Sequence, residues 1–310
     1  MKALETEQLR GNWATVILAW NRDESLDRGR VAAQIDALID MGVDGIYCFG
    51  SACEFHAVDD DEFERVAALL AEKCDGAGMP FQIGVSHMSA TTALARLRRI
   101  RGLAPGAIQV TLPDWFPPAD EEVVAFLERM LAEADGVGLV LYNPPHAKRV
   151  LDWETLGRLA DRFPRLLGVK VADGGEDWYA EMRAHRRHLR VFVPGHHLAT
   201  GLKGGAHGSY SNMACLHPGA AQRWSDAAAS GDPAAVELEG RIRDFVMDYI
   251  VPLLRERHYC DAAADRLLAQ IGAWADVGEY MRWPYRPIPA AEAERLRPFA
   301  REALPEFFPG

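Results

Sequence analysis

Eight times in succession along this 310-residue chain, a short apolar run is followed by an amphipathic stretch. "ATVILAW" (14–20) leads to a helical pattern over 27–41, and "GIYCFG" (45–50) leads to one over 59–74. "FQIGVSH" (81–87) precedes 89–101, "AIQVTLP" (107–113) precedes 119–134, and "VGLVLYN" (137–143) precedes 152–162. "LLGVKVA" (166–172) precedes 176–187, "LRVFVPG" (189–195) precedes 198–203, and "HGSYSN" (207–212) precedes 217–229. Each run has strand length, favours β-forming residues and is bounded by Gly, Pro or Asp. Strict alternation of this kind implies a parallel sheet, whose neighbours need a crossover helix between them. Eight units predict an α/β fold closed as a (β/α)8 TIM barrel. An open dinucleotide-binding sheet would carry G-x-G-x-x-G after its first strand, and none is present. After residue 231 the strand signals stop. Residues 1–231 are therefore assigned to the barrel and 232–310 to a C-terminal helical extension.

Composition narrows the partners. Apolar residues make up 49% of the chain, enough to fill a large core, and the net charge of −11 argues against nucleic acid or an anionic membrane as partner. No apolar run reaches the roughly 18 residues of a transmembrane helix. The charged start, MKALETEQLRG, does not read as a secretory signal. Five scattered cysteines (Cys48, Cys53, Cys74, Cys215 and Cys260) form no C-x-x-C pair, which fits reduced thiols and a cytoplasmic setting.

Active sites of such barrels lie at the C-terminal ends of the strands. The candidates there are "GSACEF" (50–55), "DWFPP" (114–118), "YNPP" (142–145), "GHH" (195–197) and "SN" (211–212). Lys170 interrupts the apolar run "LLGVKVA". If Val169 and Val171 face the helices, strand alternation turns Lys170 into the barrel. Desolvation there disfavours the ammonium and favours a free amine that can attack a carbonyl. A core lysine paired with an acid on a neighbouring strand is the alternative that this residue alone leaves open. Tyr142 ends the adjacent strand, and strands lie about 4.8 Å apart, so a phenol and an amine can meet over one substrate and pass protons. His196, His197, His207 and His217 raise a metal-dependent alternative, but no H-E-x-x-H or similar spacing supports a metal.

Together these motifs resemble the dihydrodipicolinate synthase/N-acetylneuraminate lyase family of class I aldolases. "GVDGIYCFGSACEFHAVDDDEFERV" (42–66) is similar to the family's segment ending in G-[ST]-T-G-E. "YNPP" resembles its Y-N-x-P, and "GVKVADG" its G-[IV]-K-x-[AS]-x-G. The resemblance implies a Schiff-base lysine at Lys170, an acid–base tyrosine at Tyr142 and a homotetramer. It also implies that Ser51, with the amides of Ser51 and Ala52, holds the carboxylate of a 2-oxo acid, and that the Gly195 carbonyl faces the substrate. Ala52 stands where the family has a second hydroxyl residue, and Cys53 where it has glycine. Ala147 replaces the arginine of the synthase branch, which disfavours dihydrodipicolinate synthesis. Trp115 replaces a tyrosine, and His196-His197 replace the acidic pair of sialic acid lyases. Trp115, His196 and His197 are thus expected at the distal end of a flat or partly apolar substrate, one with a distal anion included. The expected reaction is reversible aldol cleavage to pyruvate and an aldehyde. It needs no cofactor, because the iminium is the electron sink. Dehydration of a 3-deoxy-2-oxo sugar acid by the same imine chemistry, and a non-catalytic 2-oxo-acid-binding barrel, are the alternatives.

Overall fold

A computed structural model describes residues 2–308 of the chain. Eight parallel strands form a closed barrel in sequence order: β1 (Gly11–Thr15), β2 (Gly45–Cys48), β3 (Phe81–Gly84), β4 (Ala107–Thr111), β5 (Gly138–Asn143), β6 (Leu166–Val171), β7 (Arg190–Pro194) and β8 (Gly208–Tyr210). β8 pairs back onto β1, so no strand edge is left open. The outer ring begins with α1 (Arg28–Asp40), α2 (Asp60–Ala77), α3 (Ala90–Ile100) and α4 (Asp120–Glu133). It continues with α5 (Trp153–Arg162), α6 (Glu176–His185) and α7 (Leu198–Gly204). Short α8 (Met213–Leu216) then leads into α9 (Pro218–Ala229). The helices start where side chains can satisfy their first amides: Asp27, Asp59, Ser89 and Asp152 each accept from the backbone N–H three residues on.

The first strand differs from its expected span. β1 begins at Gly11, and Val16–Trp20 leave the ladder while remaining fully buried. An apolar run reports burial, and burial does not distinguish a strand from a buried connection. β8 is likewise only the first part of "GSYSN".

The barrel interior holds its own apolar layer, with Trp13, Tyr47, Val140, Leu167, Phe192 and Tyr210 in contact beneath the mouth. The β5–β6 register slips between Leu139 and Val140, which leaves Leu167 as an extra residue on β6. Both Leu167 and Lys170 can then turn inward although they are three residues apart.

Beyond α9 the chain is helical: α10 (Pro233–Phe245), α11 (Val251–Arg255), α12 (Asp261–Gly272) and α13 (Ala290–Ala303). A π-turn over Val246–Ile250 joins α10 to α11. Pro252 accounts for it, since its ring lacks an N–H and crowds the carbonyl four residues back. No described helix is long and apolar enough to cross a membrane.

A buried ion pair ties the tail to the barrel. Arg266 on α12 reaches Glu54 at 2.7 Å, and both side chains are buried. The same guanidinium donates to the carbonyls of Leu18 and Val277, while Trp20 Nε1 donates to the other Glu54 oxygen at 3.1 Å. These hydrogen bonds offset part of the desolvation, which still raises the Glu54 carboxyl from its ordinary value.

Candidate active site

Lys170 lies directly beside Tyr142 in the β5–β6 ladder and beside Phe192 in β6–β7. Its Nζ sits 4.2 Å from the Tyr142 ring centre, 5.6 Å from Tyr210 and 5.8 Å from Tyr47. Three aromatic faces thus surround the amine, an arrangement that attracts a cation in place of lost water. Among the described residues no hydrogen bond or ion pair holds Nζ. The core ion pair on a neighbouring strand is therefore not what the structure contains. Tyr47 and Tyr210 are fully enclosed, and burial raises both phenols well above their ordinary range, so they stay neutral. Tyr210 donates to Gln82 Oε1 at 2.7 Å, and its hydroxyl is thereby occupied.

Above the amine lies a cavity of about 330 Å³ shared by Lys170, Tyr142, Ser51, Ala52 and His196. Ser51 occupies the turn after β2, and its hydroxyl donates to the Tyr142 phenol oxygen at 3.4 Å. The turn is tight: Phe49 and Glu54 both have positive φ, and Gly84 on β3 leaves no room for a Cβ, which would fall 2.3 Å from the Phe49 carbonyl. Cys53 N–H bonds Gly50 O and Glu54 N–H bonds Ser51 O, whereas the N–H groups of Ser51 and Ala52 have no described acceptor. Two free amides beside a hydroxyl suit an anion. Cys53 itself is buried and its thiol is pushed up to about 12, chiefly by burial, which removes it as a nucleophile.

The other rim comes from β7 and β8. Gly195 lies between two cavity-lining residues, Pro194 and His196, in a 3-10 turn, and a Cβ on it would lie 2.6 Å from Ser211 Oγ. Asn212 Oδ1 accepts from the His196 backbone N–H at 3.1 Å, and Asn212 Nδ2 lies 3.1 Å from His196 Nδ1. Asn212 Oδ1 lies 3.3 Å from the same Nδ1, so the amide pairs with that ring nitrogen in either tautomer. Burial first, and then His197, lower His196 to about 4, so the imidazole is neutral at physiological pH.

Two expected residues lie outside this cavity. His197 turns to Asp173, 2.8 Å from Nδ1, where Tyr179 also donates to the carboxylate. The 3-10 turn places consecutive side chains on different sides, so His196 faces in and His197 faces the β6–α6 connection. Trp115 is 66% exposed, with Lys148 Nζ over its ring at 5.3 Å and donating to its carbonyl at 2.8 Å. The proline-rich loop carries it outward and not over Lys170.

Other cavity residues carried no signal in the sequence. Tyr47 and Tyr210 sit within strand-like runs, and Cys215 is one of five scattered cysteines. Asp265 on α12 also opens onto the cavity, and nothing marks it in sequence beyond its spacing of four from Asp261. Burial first, and then Asp261, push the Asp265 carboxyl up to about 7, with Lys170 opposing. Among the described residues no group of three or more His, Cys, Asp or Glu side chains could hold a metal ion.

The comparisons with known proteins bear on the fold and the family. A 4-hydroxy-tetrahydrodipicolinate synthase of Aromatoleum aromaticum is 26% identical over 293 residues, which is 93% of this chain and 96% of that protein. A DapA-like lyase of Halobacterium salinarum is 27% identical over 211 residues, 68% and 69% of the two chains. Among solved structures, the sialic acid aldolase of Ruminococcus gnavus has a TM-score of 0.83 at 16% identity, covering 97% of this chain and 100% of its own. A prophage protein of the dihydrodipicolinic acid synthase family from E. coli K12, in complex with pyruvate, has a TM-score of 0.81 at 19% identity, with 95% and 98% covered. Residues 8–302 match the sequence profile of the Dihydrodipicolinate synthetase family, and the chain therefore belongs to that family and is a lyase.

Proposed function

We propose that the protein is a class I lyase that cleaves a 2-oxo acid to pyruvate and an aldehyde through an imine on Lys170. The observation that carries this reading is an amine without a protein partner, boxed by three phenol rings and in register with Tyr142. The Lys170 amine attacks the ketone carbon to give a carbinolamine. Tyr142, with Ser51 beside it, moves the protons that let water leave, and an iminium results. When the C3–C4 bond breaks, its electrons pass into the iminium to form an enamine, and Tyr142 takes the C4 hydroxyl proton as the aldehyde forms. Protonation of the enamine at C3 and hydrolysis of the resulting iminium release pyruvate and the free Lys170 amine. Ser51 Oγ and the free amides of Ser51 and Ala52 hold the C1 carboxylate, with the Gly195 carbonyl at the rim. The neutral His196 imidazole lines the cavity as a hydrogen-bonding group for an oxygen of the substrate. Trp115 and His197 take no part in binding within one subunit. The E. coli relative's complex with pyruvate supports the choice of 2-oxo acid by analogy. A cytoplasmic homotetramer that needs no cofactor belongs to the same reading.

Borohydride reduction in the presence of pyruvate tests it. Mass spectrometry should find the reduced adduct on the peptide containing Lys170, with or without prior chelation of metals, and Lys170→Ala should abolish it. A label on another residue, or none with any of a panel of 2-oxo acids, would remove the imine mechanism. Products from the same panel decide the reaction: released pyruvate is cleavage, and loss of water with the carbon chain intact is dehydration.

A further inference from the structure

One wall of the Lys170 cavity belongs to the tail. Asp261, Ala264, Asp265 and Leu268 line it at spacings of three, four and seven residues, a single face of α12. The neighbouring wall, from the π-turn and α11, is aliphatic and includes Ile250 and Leu254. It offers Asp265 no donor. The Asp265 side chain has no hydrogen bond or ion pair among the described residues. The titratable groups that face it are Lys170 from β6, Tyr47 from β2, Cys215 from α8 and Asp261 from its own helix. Of these only Lys170 is a cation, and it lies beyond ion-pair reach.

Asp265 is half-buried and lines the cavity. The adjacent residue, Arg266, is locked by Glu54 and by the carbonyls of Leu18 and Val277. That anchor fixes the rotation of α12 about its axis, and with it the direction of the Asp265 side chain. A carboxyl held without a partner against an apolar wall is costly unless something else supplies the hydrogen bond.

We propose that Asp265 is a specificity-determining residue that accepts a hydrogen bond from a hydroxyl group beyond C3 of the substrate, so that the cavity selects hydroxylated 2-oxo acids. The inference rests on the imine reading above. A distal carboxylate is disfavoured, because it would face both Asp261 and Asp265. A distal ammonium is disfavoured, because it would share the cavity with the Lys170 cation or its iminium. A neutral donor escapes both repulsions. This replaces the expectation of a distal anion with that of a distal alcohol.

The test is competitive borohydride trapping on the full chain at about pH 8, where Asp265, raised to about 7, is mostly ionised, with 2-oxobutanoate and 4-hydroxy-2-oxobutanoate, which differ by one hydroxyl. Adducts are counted by mass, and a pyruvate adduct formed by cleavage counts for the hydroxylated acid. The parent should favour the hydroxylated acid by about tenfold or more, the range of a hydrogen bond to a charged group. Asp265→Leu should bring the ratio to within about twofold of unity, and Asp265→Asn, the closer match in shape, should lower it partially. Thermal melts confirm that both variants are folded. A ratio unchanged in both variants overturns the proposal, as does an equal loss of both acids, which would mean that Asp265 acts on Lys170 itself. If the parent traps neither acid nor pyruvate, the imine reading fails, and that result is distinct from either of these.

Discussion

Asp265 and His196 face the same cavity and are shifted in opposite senses from their ordinary values, and both shifts favour the neutral form. Burial and Asp261 raise Asp265 to about 7. A carboxyl raised in the folded state stabilises the fold below its unfolded value near 3.8, and that contribution is lost as pH rises through 7. Asp265→Asn removes the titration, so its stability relative to the parent should grow between pH 4 and pH 8, by at most about 4 kcal/mol. Urea unfolding at several pH values reads this directly, and a difference independent of pH would contradict the raised carboxyl. His196 runs the other way. Its value and that of His207 are both lowered to about 4, His196 by burial and then His197, His207 by burial and then Arg186. Stability supplied by a depressed histidine is present above 6.5 and lost as pH falls toward 4. Acid should therefore loosen the protein at these two histidines as pH falls from 6.5 toward 4, against the gain from Asp265 over the same range. His207→Gln should flatten the fall between pH 6.5 and 4, as measured by the urea midpoint.

Among the elements, α12 matters more to the candidate site than its place after the barrel suggests. It brings Asp265 to the cavity, and through Arg266 it grips the turn that carries Ser51 and Ala52. Glu54→Ala would strand a buried guanidinium and should cost about 3–5 kcal/mol. The joint replacement Glu54→Leu with Arg266→Met should cost clearly less, because it leaves no unpaired charge. Chemical denaturation of the two variants beside the parent checks the order. If the single variant is no less stable than the joint one, the pair is not what anchors the helix. The contrast between strands and tail also explains what could be read from the sequence. Parallel strands are buried on both faces, so each appears as an apolar run, and the alternation with helices was legible in all eight units. Lys170 and Tyr142 were legible because a polar group inside such a run needs a reason. Val16–Trp20 misled because buried connections are equally apolar. His197 and Trp115 misled because a one-residue step in a 3-10 turn, or a loop turning outward, reverses a side chain without altering the local sequence. Asp265 was invisible because an acid on an amphipathic helix normally faces water, and only the packing of α12 over the barrel makes it interior.

At the scale of the whole molecule, Trp115 and Phe116 remain as large apolar side chains on the outside, at 66% and 77% exposure. Pro117 and Pro118 follow them, and Met88 is another exposed apolar side chain. Exposed apolar groups of this kind suit a subunit contact, and the proposed tetramer would cover them. Light scattering coupled to size exclusion should give the tetramer mass for the parent and a smaller species for Phe116→Glu. A parent that elutes as a monomer would remove the assembly from the reading. The assignment of 232–310 as an extension of the barrel has its own consequence for stability. A chain ending at residue 231 would lack Arg266 and the helical wall above Lys170, and should fail to give a soluble, cooperatively melting protein.

The link between Glu54 and Arg266 also has a meaning in time. The two residues are 212 positions apart, so the early part of the chain must wait for a late one. At about 5–20 residues per second on the ribosome, that wait lasts roughly ten to forty seconds. Through that interval the Ser51 turn has no guanidinium to close against, and Glu54 can stay hydrated. The nascent barrel would thus form its walls before its Ser51 turn, and the turn would be completed only once α12 has emerged to dock on it.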